Sequence, residues 1–304
     1  MEVKRKQVIG FILGVLRYLI IISVCYVILR PLLAKIVSSF MTEQDLYDQT
    51  VKWIPRNFTF NNYRAMYVHM KYFTALRNSL AFSFLIAVLQ LASCTLVGYG
   101  LARFKFRGAK IIFGLAIFTL IVPPQIIILP LYLNFRFFSI PFVLPKPGID
   151  LLNSIWPFIL MAASGTGFNN GLFIYIMRQF FKNSPKSLEE AAYIDGANAM
   201  QTFIRVMLPG AMPALVIVFL FSFVWQYNDY FFTGMYWRQA TLLSHTLDVA
   251  AENYAYSQGA HFTGQYISLL NNTGMILFIL PLLTLFAFTQ RYFIESVERT
   301  GLVG

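Results

Sequence analysis

Six apolar runs divide this chain, near residues 18–38, 79–101, 111–133, 151–176, 211–232 and 267–289. A helix needs roughly 20 apolar residues to cross about 30 Å of hydrocarbon. A helix buried in a soluble core seldom runs that long without a charged face. Of the 304 residues, 58 % are apolar and 12 % charged. The runs therefore predict an all-α integral membrane protein with six transmembrane helices, forming a single transmembrane domain over residues 1–304.

Details of the runs sharpen this expectation. Arg30 and Lys35 interrupt the first. A charge at the bilayer centre costs about 2.5–3.5 kcal/mol on insertion scales. Arg17 and Lys35 are thus expected near opposite interfaces, with Arg30 snorkelling or facing protein. The fourth run carries SGTGFNNG at 164–171, which predicts a break in that helix. Before the first run stands MEVKRK, but the apolar stretch after it is too long for a signal peptide and lacks a clear small-x-small site. A retained first membrane helix is the expectation.

Charge sets orientation. Lys4, Arg5, Lys6 and Arg17, then Arg103, Lys105, Arg107 and Lys110, then Arg178, Lys182, Lys186 and Arg205, and finally Arg291 and Arg299 all fall on one side of six spans. The loops near 134–150 and 233–266 are poor in Lys and Arg. The segment 39–78 holds five, but long loops translocate largely regardless of charge. Both termini and the segment 178–209 are then expected to be cytoplasmic. The net charge of +11 suits anionic lipid headgroups. No basic stripe with interleaved aromatics points to nucleic acid. Cys25 and Cys94 lie in apolar runs and read as small packing residues. His69, His245 and His261 stand far apart without ligand spacing, so neither a metal site nor a catalytic set is expected.

One cytoplasmic stretch is patterned beyond what a linker needs: EEAAYIDGANAMQTFIRVMLPG, residues 189–210. It reads as two short helices. Ser184-Pro185 is a start signal, and Ser187 to Glu190 fits a capping box. Leu188, Ala191, Ala192 and Ile194 give the first helix a small apolar side. Asp195-Gly196 breaks it, and Asp195 or Asn198 can cap the next helix. That helix presents Phe203, Ile204 and Met207, and Leu208-Pro209 stops or bends it. By residue chemistry alone, a helix seated in a partner's groove and a capped hairpin between two spans fit equally well.

Glu190-Ala191-Ala192, then Gly196, then Leu208-Pro209 resembles the EAA loop of ATP-binding-cassette importer permeases. The string LEEAAYIDGANAMQTFIRVMLP is similar to the carbohydrate-importer branch, of the maltose permease type. RNFTFNNYRAMY at 56–67, NSL at 78–80, ARFKFRG at 102–108, RQFFKNSPKSLEEA at 178–191 and QRYFIESVERTGLVG at 290–304 sit where that family has related segments. The ending SVERTGLVG departs from the more glycine- and alanine-rich ending common there. The resemblance implies a type I importer permease fold with a cytoplasmic coupling helix in a bacterial cell membrane. It also implies a second, different permease subunit, two ATPase subunits and an extracytoplasmic solute-binding protein. Glu189, Glu190, Ala191, Ala192, Asp195, Gly196 and Ala197 would dock on the ATPase, with Leu208 and Pro209 setting the return into the bilayer.

The chain has no G-x-x-x-x-G-K-[ST] and no Gly-Lys dipeptide, so no phosphate-cradling loop of that kind. No cofactor is expected on this chain; ATP and Mg²⁺ would sit on the ATPase subunits. The glycines of GYG at 98–100 read as close helix packing. Polar groups within spans are the default candidates for a substrate path. Gln226, Tyr227, Asn228 and Asp229 form one set beside Trp225; Asn169 and Asn170, near Ser164, form another. An interfacial aromatic belt accounts for WQYNDY as well. A stand-alone secondary transporter would want intramembrane carboxylates and an inverted repeat, and Asp229 is a thin basis for it. A membrane enzyme would need a convergent acid, base or nucleophile set.

Overall fold

The computed structural model describes residues 2–140, 144–259 and 263–301, without the side chains of 2–9, 144–147 and 291–301. His261 and a small part of the region 233–266 lie outside the described residues, as do the side chains of Lys4, Arg5, Lys6, Arg291 and Arg299. In chain order the helices begin with α1 (Glu2–Ser39), α2 (Glu43–Tyr47), α3 (Asn61–His69), α4 (Tyr72–Arg103), α5 (Ala109–Phe118) and α6 (Pro124–Arg136). A hairpin of β1 (Phe138–Ile140) and β2 (Leu144–Ile149) follows. Then come α7 (Trp156–Ala163), α8 (Asn170–Asn183), α9 (Ser187–Ile194), α10 (Ala199–Thr202), a π turn (Phe203–Met207) and α11 (Leu208–Gly210). Last are α12 (Met212–Asn228), α13 (Phe231–Tyr236), α14 (Leu243–Ser257) and α15 (Gly264–Gly301).

Among the described residues, three stretches are long and apolar enough to cross a membrane: Gly10–Ser39, Tyr72–Arg103 and Gly264–Gln290. The bent pair Ala199–Gly210 and Met212–Asn228 is a fourth candidate. The expected spans 111–133 and 151–176 are instead each built from two shorter helices, α5 with α6 and α7 with α8. Pro123-Pro124 explains the first break: neither residue can donate to the helix ladder, and the residue before a proline is pushed out of the helical region. The second break falls at 164–169, inside the glycine-rich stretch that predicted it. The hairpin is a small departure from an all-helical chain, pairing Phe138 with Ile149 and Ile140 with Leu144. The region 233–266 is not a plain loop either, since it carries α14.

The chain divides into two compact units. The first takes Met1–Phe73 and Thr246–Pro281. No residue in the most apolar window of α1 is buried within the chain, and Arg17, Cys25 and Arg30 on α1 are exposed. Cys25 therefore does no packing inside the chain. Lys35 is not left at an interface by itself: its Nζ donates to Asn272 Oδ1 at 2.7 Å. Beyond α1 the chain folds on polar clasps. Asn62 Nδ2 donates to the Ser39 and Met41 carbonyls (3.0 and 2.8 Å), and the buried Asp45 accepts from the Asn57 amide at 2.8 Å. Phe40 stacks on Phe58 with centroids 4.8 Å apart. On the surface, the Thr50 hydroxyl and amide, with help from Arg56, hold the Asp48 carboxyl below its ordinary range. A lowered carboxylate adds stability above its unfolded pKa and loses it as the pH falls through the folded one.

The second unit takes Thr74–His245 and Leu282–Gly304, and two clusters of buried residues form its interior. One gathers Cys94, Tyr99, Phe173, Met177, Phe181, Phe203 and Met207. The other gathers Phe82, Ile86, Phe135, Phe158, Met161 and Tyr236. Helices α4 and α8 meet at Gly98, where an added Cβ would lie 2.7 Å from Met177 Cβ. Close packing is thus real at Gly98, whereas Gly100 has open space around it.

Candidate functional site

Two places in the second unit hold the residues singled out by sequence. At the first, Ser184 is the last residue of the α8 turn, and its hydroxyl donates to the Phe180 carbonyl at 3.0 Å. It does not cap α9. The expected Ser187–Glu190 box does not form either, because Pro185 and Lys186 already turn. The amides of Leu188 and Glu189 reach back to their carbonyls at 3.4 and 3.0 Å, so Ser187 is inside the helix.

The far end of α9 behaves as expected. Gly196 has φ +81°, the left-handed conformation that a residue with a Cβ resists. Its amide bonds the Tyr193 carbonyl (3.1 Å), and the Ala197 amide bonds the Ala192 carbonyl (2.9 Å). That pair of bonds is the Schellman closure. Asn198 then starts α10 with a reciprocal capping box to Gln201, both bonds 2.9 Å. Leu208-Pro209 does not end the helix. Pro209 stands in the first turn of α11, where its missing N–H costs least, and the chain bends by 77° around the buried Ala211. Because Pro209 cannot donate to the preceding turn, the ladder widens into the π turn before it.

Glu189 and Ala192 point inward, whereas Glu190, Ala191, Asp195 and Gly196 are exposed and Ala197 is half-buried. The apolar side expected for α9 is thus split, with Leu188, Ala191 and Ile194 left outside and Ile194 86 % exposed. Leu188, Ala191, Ala192, Asp195, Gly196, Ala197, Gln201 and Arg205 border a shallow depression of about 570 Å³. Glu189 is 9 % exposed, accepts from the Tyr99 hydroxyl at 2.9 Å and pairs with Arg103 Nε at 3.2 Å. Arg103 also donates to the Ser184 carbonyl at 2.9 Å. The end of α4 thereby clasps both the entry to α9 and its first turn. Sequence reading named neither Tyr99 nor Arg103 for this clasp; the one available signal was an arginine placed where an apolar run ends.

The second place is a cavity of about 370 Å³. Asn169, Gln226, Asn228 and Asp229 all border it, so the structure brings the two predicted sets together. Asn169 is delivered by a left-handed turn (φ +65°) just before α8, and the other three by the end of α12. Gln90 and Ser222 were missed, although a lone amide in an apolar run is itself a signal. The Ser222 hydroxyl bonds Gln90 Oε1, and Gln90 Nε2 reaches the Phe168 carbonyl at 3.4 Å. Tyr227 and Asn170 do not border the cavity. Tyr227 packs in the interior beside Phe223. Asn170 is 1 % exposed, with neither amide atom hydrogen-bonded. A Cβ on Gly167, in the cavity wall, would lie 3.1 Å from Gln90 Nε2 and 3.3 Å from Asn170 Nδ2. Asp229 serves the fold as well, accepting from the Phe232 and Thr233 amides at 3.0 and 2.9 Å to cap α13. Aromatic faces complete the wall: Trp225 stacks on Phe173 at 5.6 Å, and Phe168 on Phe232 at 3.6 Å.

Residues 94–299 match the model of the family described as binding-protein-dependent transport system inner membrane component. The chain belongs to this family. The match takes in the whole segment 178–209 and most of the cavity wall. This inner membrane component is 28 % identical over 286 residues to the osmoprotective compounds uptake permease protein GgtD of Synechocystis sp., covering 92 % of this chain and 89 % of that one. It is 27 % identical to the arabinooligosaccharides transport system permease protein AraQ of Halalkalibacterium halodurans, covering 92 % and 93 %. Among solved structures, a chain of a bacterial ABC transporter involved in the import of the acidic polysaccharide alginate superposes with a TM-score of 0.73 at 20 % identity, covering 93 % and 96 %. The permease therefore has the type I importer permease fold and is a membrane-embedded transport component.

Proposed function

We propose that this permease carries sugars or oligosaccharides inward in an ATP-driven importer, and that the segment 178–209 is where the ATPase takes hold. The observation that carries the proposal is the division of labour on α9. Glu189 is tied into the body, while Glu190 is exposed and Ala191, Asp195 and Gly196 form an exposed edge bordering a depression. A helix fixed from behind and bare in front suits a partner's groove. A mere connector has no use for the second feature.

On this reading the chain crosses the membrane six times with both termini cytoplasmic. A second permease of different sequence completes the pathway. Two ATPase subunits hold ATP and Mg²⁺, and an extracytoplasmic protein delivers the solute. Closure of the ATPases moves the coupling helices, and rigid-body rotation exposes the cavity to one side or the other. Gln90, Asn169, Ser222, Gln226, Asn228 and Trp225 are the groups that would meet the solute. Amides and hydroxyls supply oriented hydrogen bonds, and the indole supplies a flat apolar face. The names of the sugar permeases among its relatives support the substrate class.

The test is a cross-link at Ala197, which borders the depression. Cys25 and Cys94 are first removed, Ala197→Cys is introduced, and the variant is co-expressed with ATPase subunits. The expected result is a cross-link to an ATPase whose yield changes when ATP is added. A folded, membrane-inserted variant that links to no ATPase would leave α9 to α11 as a capped connector and overturn the proposal.

A further inference from the structure

We infer that the cavity selects an uncharged saccharide ring and rejects uronates. The inference rests on the proposal that the cavity lies on the solute path. Its border carries one ionisable side chain, Asp229, and no lysine, arginine or histidine among the described residues. The Asp229 oxygens are engaged by the Phe232 and Thr233 amides, which fixes the carboxylate in place.

Against that border a neutral ring has good partners. The Gln226 Nε2 donor is buried and unbonded, and Gln90 of α4, bonded to Ser222 one turn before Gln226 on α12, borders the same cavity. Trp225 offers an indole held flat by Phe173 and Phe221. Hydroxyls can both donate and accept, so they satisfy amides of either orientation. A uronate would bring a carboxylate toward Asp229, and among the described residues this chain's border offers no lysine, arginine or histidine to meet it. Like charges placed together in a desolvated site are a repulsive element, and such an element discriminates more sharply than a missing contact. The fold shared with a chain of an alginate importer does not bear on this, because at 20 % identity the likeness is one of fold.

A matched pair of photo-reactive probes decides the matter: a diazirine-bearing maltotriose and a diazirine-bearing trigalacturonate, applied at equal concentration to membranes holding the full transporter. Labelled peptides are then mapped by mass spectrometry. The neutral probe is expected to label peptides containing residues 156–173 and 222–232 at least about tenfold more than the acidic one, which corresponds to about 1.4 kcal/mol. Trp225→Ala should reduce that labelling, and Asn228→Lys should raise labelling by the uronate. Equal labelling of the same peptides by both probes would overturn the selectivity while leaving the path in place. Absence of label from these peptides with either probe, in an assembled transporter, would overturn the path and the selectivity together.

Discussion

Replacing Glu189 by alanine is expected to cost about 3–5 kcal/mol of stability, the usual penalty for leaving a buried ion pair's partner uncompensated. The side chains of Arg103 and Glu189 are 7 % and 11 % exposed, so solvent does little to screen the loss. Tyr99 would lose its acceptor in the same step. Two controls separate this role from docking. Glu190→Ala, on the exposed side, should change stability by no more than about 0.5 kcal/mol yet lower ATP-coupled uptake. The double variant Glu189→Leu/Arg103→Met should recover much of the stability lost in Glu189→Ala, since an apolar pair of similar volume often replaces a buried ion pair without penalty. It should not restore uptake, because the bond from Arg103 to the Ser184 carbonyl is gone as well. Thermal melting in detergent reads the first effect. ATP hydrolysis measured beside uptake reads the second. A Glu189→Ala variant that melts like the wild type would show that the clasp carries no load.

These residues also show how far the sequence could be read. The apolar runs and the turn after α9 were legible because both follow from local rules, helix length against bilayer thickness and a left-handed glycine at a helix end, whereas the EAA loop was legible only by its resemblance to a family. Gly196 and Asn198 took their expected conformations since nothing distant competes for them. The inward turn of Glu189 was not legible. It depends on Tyr99 and Arg103, which lie 90 and 86 residues earlier in the chain, and no periodicity in the EAA segment announces them. The Ser187 box failed for a local reason, as Pro185 began the turn early and carried Ser187 past the amides it would have served. In the cavity, polar residues at span ends were found by rule, whereas Gln90 and Ser222 were hidden inside runs read only for their apolarity. The break at Pro123-Pro124 lay inside another run read only for its apolarity.

Gly171→Leu is expected to abolish uptake while sparing the ATPase contact, and the reason lies in what faces this glycine. A Cβ there would run into the Ala116 carbonyl oxygen of α5 and lie 2.7 Å from Thr119 Oγ1. The carbonyl belongs to a helix backbone and cannot rotate away as a side chain would. Even the methyl of Gly171→Ala should therefore cost about 1–3 kcal/mol through overpacking, with leucine costing more. Gly100→Ala has open space around it and should instead be neutral or gain up to about 1 kcal/mol from helix propensity. The relief for a bulky residue 171 is to push the start of α8 away from α5. Asn169, which borders the cavity, stands immediately before that start, so the cavity wall moves with it. The clasp of Glu189 on Arg103 is made beyond the other end of α8 and should survive, so an Ala197→Cys cross-link should form in the Gly171→Leu background as it does alone. Uptake and cross-linking should thus part company in this variant, whereas Glu189→Ala should weaken both. If the two assays fall together in Gly171→Leu, α8 does not isolate its ends, and the cavity and the docking edge act as one rigid piece.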